Sequence, residues 1–166
     1  MIRTIADFLG AWKHESEATL NMLRSLTDES LAQRVTAEGR SLGTLAWHVA
    51  LAPVEMMRHA GLPIEGPPDN APPPPHASEI AGLYEKASSD VASLVPSSWS
   101  DEQLTGQIPM YGQNWTRGFV LSALIGHQTH HRGQMTVLMR QAGLRVPGVY
   151  GPAKEEWAAY GMPPQD

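Results

Sequence analysis

The sequence predicts an all-α fold, a four-helix bundle with a short helix near its C-terminal end. Three observations predict it. Four long stretches place apolar residues at three- and four-residue steps, the repeat that lines one face of a helix. Little of the remainder alternates with the period of two that a half-buried strand requires. Gly- and Pro-rich segments separate the stretches, and such segments interrupt helices rather than extend them. Helical stretches of this kind bury their apolar stripes most simply against one another.

The first helix is expected over about Ile2–Leu26, with Ile5, Phe8, Leu9, Trp12, Ala18, Leu20 and Leu23 on its stripe. Thr27 or Asp28 offers a stop, and Ser30–Gln33 one further helical turn. Ser41 or Thr44 can cap a second helix that ends before Gly61. Pro53 lies inside it and has no N–H for the carbonyl four residues back, so a kink or a break is expected there. The 61–76 stretch, GLPIEGPPDNAPPPPH, is a loop with polyproline character that should cross one end of the bundle. Ser78 opens a third helix through about Leu94, with Ile80, Leu83, Tyr84, Ala87 and Val91 on its stripe and Pro96 as its end. An irregular stretch follows, with a short extended piece at Leu104–Ile108. Thr116 caps the fourth helix, which runs to about Ala142 and stops at Gly143. Lys154–Tyr160 is the final short helix.

Composition narrows the function. A chain of 166 residues without an internal repeat is expected to form one domain, residues 1–166. Its net charge is −5 and it has no run of Lys or Arg, which argues against a phosphate-tracking surface and a nucleic-acid partner. With no cysteine, any transition-metal site must use His, Asp, Glu or solvent. No apolar run approaches the roughly 20 residues of a membrane span. The N-terminal stretch lacks the apolar core of a signal peptide, so a cytoplasmic location is expected.

The stretch HQTHHRGQ, His127–Gln134, holds three of the seven histidines. Each helical residue advances about 100° around the axis. With His127 at zero, His131 falls at about 40° and His130 at about −60°. The apolar stripe of this helix, from Val120 and Leu138 through Leu124 and Met135 to Leu121 and Met139, spans about 0–120°. His127 and His131 therefore face the core one turn apart, and His130 lies toward solvent. Such a pair is by itself a weak signal, since packed core histidines share the spacing. A third imidazole strengthens it. On the second helix His48 shares a stripe with Leu45, Ala52 and Met56. His59 shares that azimuth but lies about 16 Å along the axis, out of reach of the same ion. Three buried imidazoles without partners are costly to desolvate, and one shared metal accounts for all three. Three neutral imidazoles usually leave coordination positions open for water or a thiol, as in a catalytic site. Imidazole donors suit Zn by default, with Ni and Fe also compatible.

These residues resemble the DinB/YfiT-like superfamily of metal-dependent four-helix bundles. The resemblance covers most of the chain and is strongest over HQTHHRGQMTVLMRQAGLRVPGVYG and LGTLAWHVALAPVEMM. It implies His48, His127 and His131 as metal ligands, in agreement with the angular argument, and His130 as a non-ligand. It also implies reactions such as hydrolysis or transfer with a low-molecular-weight thiol, a small-molecule substrate, and a homodimer. Members without established activity leave a second expectation, a non-catalytic metal-binding or stress-related bundle. The 61–76 loop has no clear counterpart in that pattern.

Other residues have bland readings beside functional ones. Gln134 is either a group that orients a ligand or a surface residue. Arg132 reads as an ion-pair or interface partner rather than a catalytic group. Gly126 and Gly133 read as packing positions. Glu55 reads as surface-exposed rather than as a general base. Tyr111 and Trp115 read as a cover for the bundle end rather than the mouth of a site. His14 and His76 read as solvated.

Overall fold

A computed structural model describes residues 2–164. Its long helices are α1 (Ile5–Arg24), α2 (Leu42–His59), α3 (Ala77–Ser98) and α4 (Arg117–Gln141). Short 3-10 turns occupy Glu29–Ala32, Asp101–Thr105 and Lys154–Tyr160. Thr4, Ser41 and Thr116 cap α1, α2 and α4, each accepting from a backbone N–H in the first turn with its side-chain oxygen. Gly143, at φ 74°, ends α4 in the left-handed conformation that glycine tolerates best. No described helix is long and apolar enough to cross a membrane.

Two apolar clusters show how the helices run. The lower one joins Ile5, Phe8 and Trp12 of α1 to Val54 and Met57 of α2, Val91 and Val95 of α3, and Val120, Leu121 and Leu124 of α4. The upper one joins Met22 and Leu23 to Leu42, Leu45 and Val49, to Ile80 and Tyr84, and to Met135, Leu138 and Met139. Hence α1 and α4 run one way, and α2 and α3 the other.

Parallel neighbours need a connection that returns along the bundle. An α2 of 18 residues is about 27 Å long. The proline-rich segment after it favours an extended chain, at about 3.1 Å per residue, and spans that distance with ease. Trp47 donates through Nε1 to the Ala71 carbonyl at 2.7 Å, and Arg58 binds Asp69 at 2.9 Å and the Gly66 carbonyl at 3.2 Å. Leu62 and Ile64 are buried beneath. The 61–76 loop thus lies along α2 instead of crossing one end of the bundle.

Neither helical proline ends its helix. Helix α2 continues through Pro53 without a break, and α3 runs past Leu94 and Pro96 to Ser98. An interior proline costs about 3 kcal/mol. Burial of one large apolar side chain returns about 1.5–3 kcal/mol, and Val49, Val54 and Met57 flank Pro53 in the core. Pro96 sits in the last turn, where buried Val95 and Trp99 anchor the chain on either side.

The extended piece expected at Leu104–Ile108 is displaced. Leu104 belongs to a 3-10 turn, and Gln107–Met110 (β1) pairs antiparallel with Gln113–Thr116 (β2). The hairpin turns through Tyr111 and Gly112, at φ 49° and 77°, the sign that tight hairpin turns require at both central positions.

Between the apolar clusters lies a buried polar layer. Arg132 pairs with the Glu15 carboxylate, and its Nη1 donates to the Glu15 carbonyl at 2.8 Å and to Thr19 Oγ1 at 3.1 Å. The Tyr150 hydroxyl donates to Glu15 Oε1 at 2.7 Å and accepts from Arg132 at 3.0 Å. Gln128, fully buried, accepts from the Tyr84 hydroxyl. Arg132 is thus the ion-pair partner that its sequence position suggested. Arg132→Met should destabilise the fold by about 3–5 kcal/mol, because it strands the buried Glu15 charge, and adding Glu15→Met should recover much of that loss. Urea unfolding of the two variants checks both outcomes.

Candidate metal centre

His48 lies two turns into α2, and His127 and His131 lie one turn apart on α4, at the level where the upper core begins. Antiparallel packing of α2 against α4 brings the three together. Their candidate ligand atoms all lie within 4.8 Å of one another. The Nε2 atoms of His48 and His127 are 2.9 Å apart. The ring centroids are 4.5–4.7 Å apart.

Protonation favours coordination. Burial is the largest influence on each of the three and holds its pKa below the usual histidine value. His127 is pushed from 6.5 down to about 4, first by burial and then by His131 and His48. Near neutral pH the imidazoles are therefore uncharged and offer lone pairs. Gln134 Oε1 accepts from His131 Nδ1 at 2.7 Å, which puts the His131 proton on Nδ1 and leaves the Nε2 lone pair free. Of the two readings open for Gln134, the geometry supports orientation of a histidine.

Among the described residues, the buried His127 Nδ1 has no hydrogen-bond partner. In the His48–His127 contact, one Nε2 must donate to the other. If His127 accepts, its proton sits on the unpartnered Nδ1. If it donates, its Nε2 lone pair is used up. A divalent ion relieves the Nε2–Nε2 contact, since both nitrogens can then present lone pairs to it, and the His127 proton then sits on Nδ1. Three neutral nitrogen donors with no carboxylate among them fit such an ion.

The other candidates fall elsewhere. His130 is exposed and turned outward, although its ring stands 4.8 Å from that of His131. His59 lies at the opposite end of α2, 3.8 Å from both Glu55 and Asp69. Glu55 accepts from the Tyr111 hydroxyl at 3.1 Å, far from the three histidines. Tyr111, Trp115 and Phe119 stack edge to face at that same lower end. His14 lies against Tyr150, and exposed His76 binds Asp28 at 2.7 Å, which raises its pKa.

One residue at the site had no signal in the sequence. Arg40, in the turn before α2, acts on all three histidines and disfavours their charged forms. A cavity of about 560 Å³ opens beside His131, with Arg40, His130 and Gln134 on its wall. Only the folded path of residues 33–41 brings Arg40 there.

Comparison with known proteins gives consistent relatives. The DinB family model matches residues 1–166. YrdA of Bacillus subtilis (strain 168) is 46% identical over 162 residues, which cover 98% of this chain and 97% of YrdA. The crystal structure of a DinB-like protein from Bacillus cereus ATCC 10987 superposes with a TM-score of 0.86 at 44% identity, covering 90% of this chain and all of that one. The DinB-like YjoA of Bacillus subtilis superposes at 0.62 with 16% identity, covering 82% of this chain and 92% of YjoA, a likeness of fold alone.

Two outcomes follow from this geometry. Gln134→Ala should weaken divalent-metal binding by about 10–100-fold, read by competition with a chelator, because His131 loses the partner that sets its tautomer. In metal-free protein, urea midpoints should fall as the pH drops from 6.5 to about 4. Across that window the unfolded chain takes up a proton that folded His127 refuses, so acid favours unfolding. Above and below the window His127 contributes no slope, and His127→Asn should remove its share.

Proposed function

The chain belongs to the DinB family, and from that premise we propose that it is a metal-dependent enzyme whose His48, His127 and His131 hold one divalent ion. The observation that carries the reading is the convergence of three neutral imidazoles beside an open cavity. Zn and Ni are the first candidates for the ion, and Fe the next, on the softness of imidazole. A three-His set leaves positions free, which distinguishes a catalytic site from a closed structural one. When bound, the ion supplies Lewis acidity and eases deprotonation of water or a thiol. The chain's own residues hold the His131 tautomer through Gln134 and keep the histidines neutral by burial. The proposed reaction is hydrolysis, or group transfer with a low-molecular-weight thiol, on a small-molecule substrate. A cytoplasmic homodimer completes the proposal.

A second reading has its own support. The His48–His127 contact joins α2 to α4, so an ion there could serve chiefly to fix helix packing in a non-catalytic, stress-related bundle.

Metal analysis of tag-free protein tests both readings. About one ion per chain is expected, and less than about a tenth of an ion, with no gain on adding Zn or Ni, overturns both. His48→Ala separates them. Loss of the ion with the melting temperature held favours the enzyme, and collapse of the melting temperature favours the structural ion.

A further inference from the structure

The cavity beside His131 has a composition that metal binding alone does not use. Its volume of about 560 Å³ lies within the range of small-molecule sites, roughly 300–1,000 Å³. Val35, Leu45, Val137 and Leu138 form an aliphatic wall, and no acidic residue lines it, in a chain whose net charge is −5. Val35 and Val137 are 62% and 52% exposed, apolar surface that folding leaves uncovered at this cavity.

Arg40 is the cation of the cavity. Arg24, Arg58, Arg132 and Arg140 each meet a carboxylate, whereas Arg40, like Arg34 and Arg117, forms no ion pair among the described residues, and Arg40 alone of the arginines lines this cavity. Hydrogen bonds hold the turn that carries it. Arg34 donates to the Gly39 carbonyl, and the Gly39 N–H donates to the Thr36 carbonyl at 3.1 Å. Ser41, the next residue, caps α2. Gln134 has its Oε1 engaged by His131 and keeps its amide N–H groups for the cavity.

We propose that this cavity takes a small amphiphilic anion, with its aliphatic body against Val35, Leu45, Val137 and Leu138 and a terminal carboxylate on Arg40. The assignment deepens the metal-dependent reading and rests on it, since His131 joins the cavity to the candidate centre. Arg40 is then a specificity-determining residue. Its planar guanidinium can give two parallel N–H bonds to a carboxylate. It gains nothing from a neutral chain end and repels a cationic one.

The test measures binding of hexane-1-sulfonate by titration calorimetry at low ionic strength, where an exposed cation is least screened. A sulfonate shares the anionic oxygens of a carboxylate but ligates transition ions weakly, so Arg40 is probed apart from the metal. Native and chelated protein are both titrated, with metal content measured on each. Hexane-1-sulfonate should bind both forms, with hexan-1-ol about tenfold weaker or more, and Arg40→Gln should weaken the sulfonate by about tenfold or more. Arg40→Gln should leave the melting temperature unchanged, and sulfonate binding is compared on chelated parent and variant so that any change in metal content is set aside. Val137→Ser should flatten the gain from butane- to hexane-1-sulfonate. Equal sulfonate binding by Arg40→Gln and the parent, or equal binding of hexan-1-ol and hexane-1-sulfonate, overturns the proposal. Protein that loads metal yet binds no sulfonate overturns the anion site and leaves the metal reading intact. Protein that takes up no ion yet binds the sulfonate through Arg40 overturns the metal reading alone.

Discussion

The buried Arg132–Glu15 pair sets how α4 sits in the bundle. Both side chains are nearly removed from solvent, at 3% and 10% exposure. A guanidinium in that position is tolerated only with its N–H groups engaged, and Glu15, Thr19 and Tyr150 engage them. Those partners lie on α1 and on the segment after α4. Rotation of α4 about its axis, or a slide by one residue, would strand the charge. Arg132 directly follows His131, so the restraint on Arg132 is also a restraint on the direction of the histidines.

The histidine cluster depends on that register and on α2 independently. His48 reaches the other two because α2 runs antiparallel to α4, as the two apolar clusters require. Burial then does two things at once. It keeps the imidazoles neutral, and it leaves nitrogen lone pairs with few protein donors. Gln134 adds the one directed contact that selects a tautomer, on the His131 side facing the cavity. Polar groups cross the bundle at this level, with ionic contacts on the α1 side of α4 and neutral imidazoles on the α2 side.

Local rules failed where packing outweighed them. Of the kink or break expected at Pro53, the break does not occur, because the neighbours of Pro53 are among the most buried residues of the core. Pro96 was expected to end α3, and Val95 and Trp99 carry it further. The 61–76 loop read as a crossing at one end of the bundle. Its path along α2 follows from the parallel course of α2 and α3, a property of topology with no local signature. The hairpin at Tyr111–Gly112 did leave a trace, since a glycine at a tight turn commonly accompanies positive φ.

The sequence by itself determined the four helices, the Thr116 cap and Gly143 stop of α4, and which faces of α2 and α4 turn inward, because helical periodicity and capping are local and a 100° step is fixed by backbone geometry. That step placed His127 and His131 inward and His130 outward. Applied to Gln128, it gives about 100° from His127, inside the stripe, whereas Arg132 at about 140° falls just past its edge. Glu15 and Thr19 likewise fall in one stripe with Trp12 and Met22. Only the tertiary structure decided which buried polar groups meet. It paired Glu15 with Arg132 and carried Arg40 to the cavity, and it gave the geometry of the His48–His127 meeting that the resemblance implied, across separations of 79 residues between the two histidines and 117 between the charges. Contacts at such separations depend on how whole helices pack and on where their connections run, and residue spacing within a single helix carries no information about either.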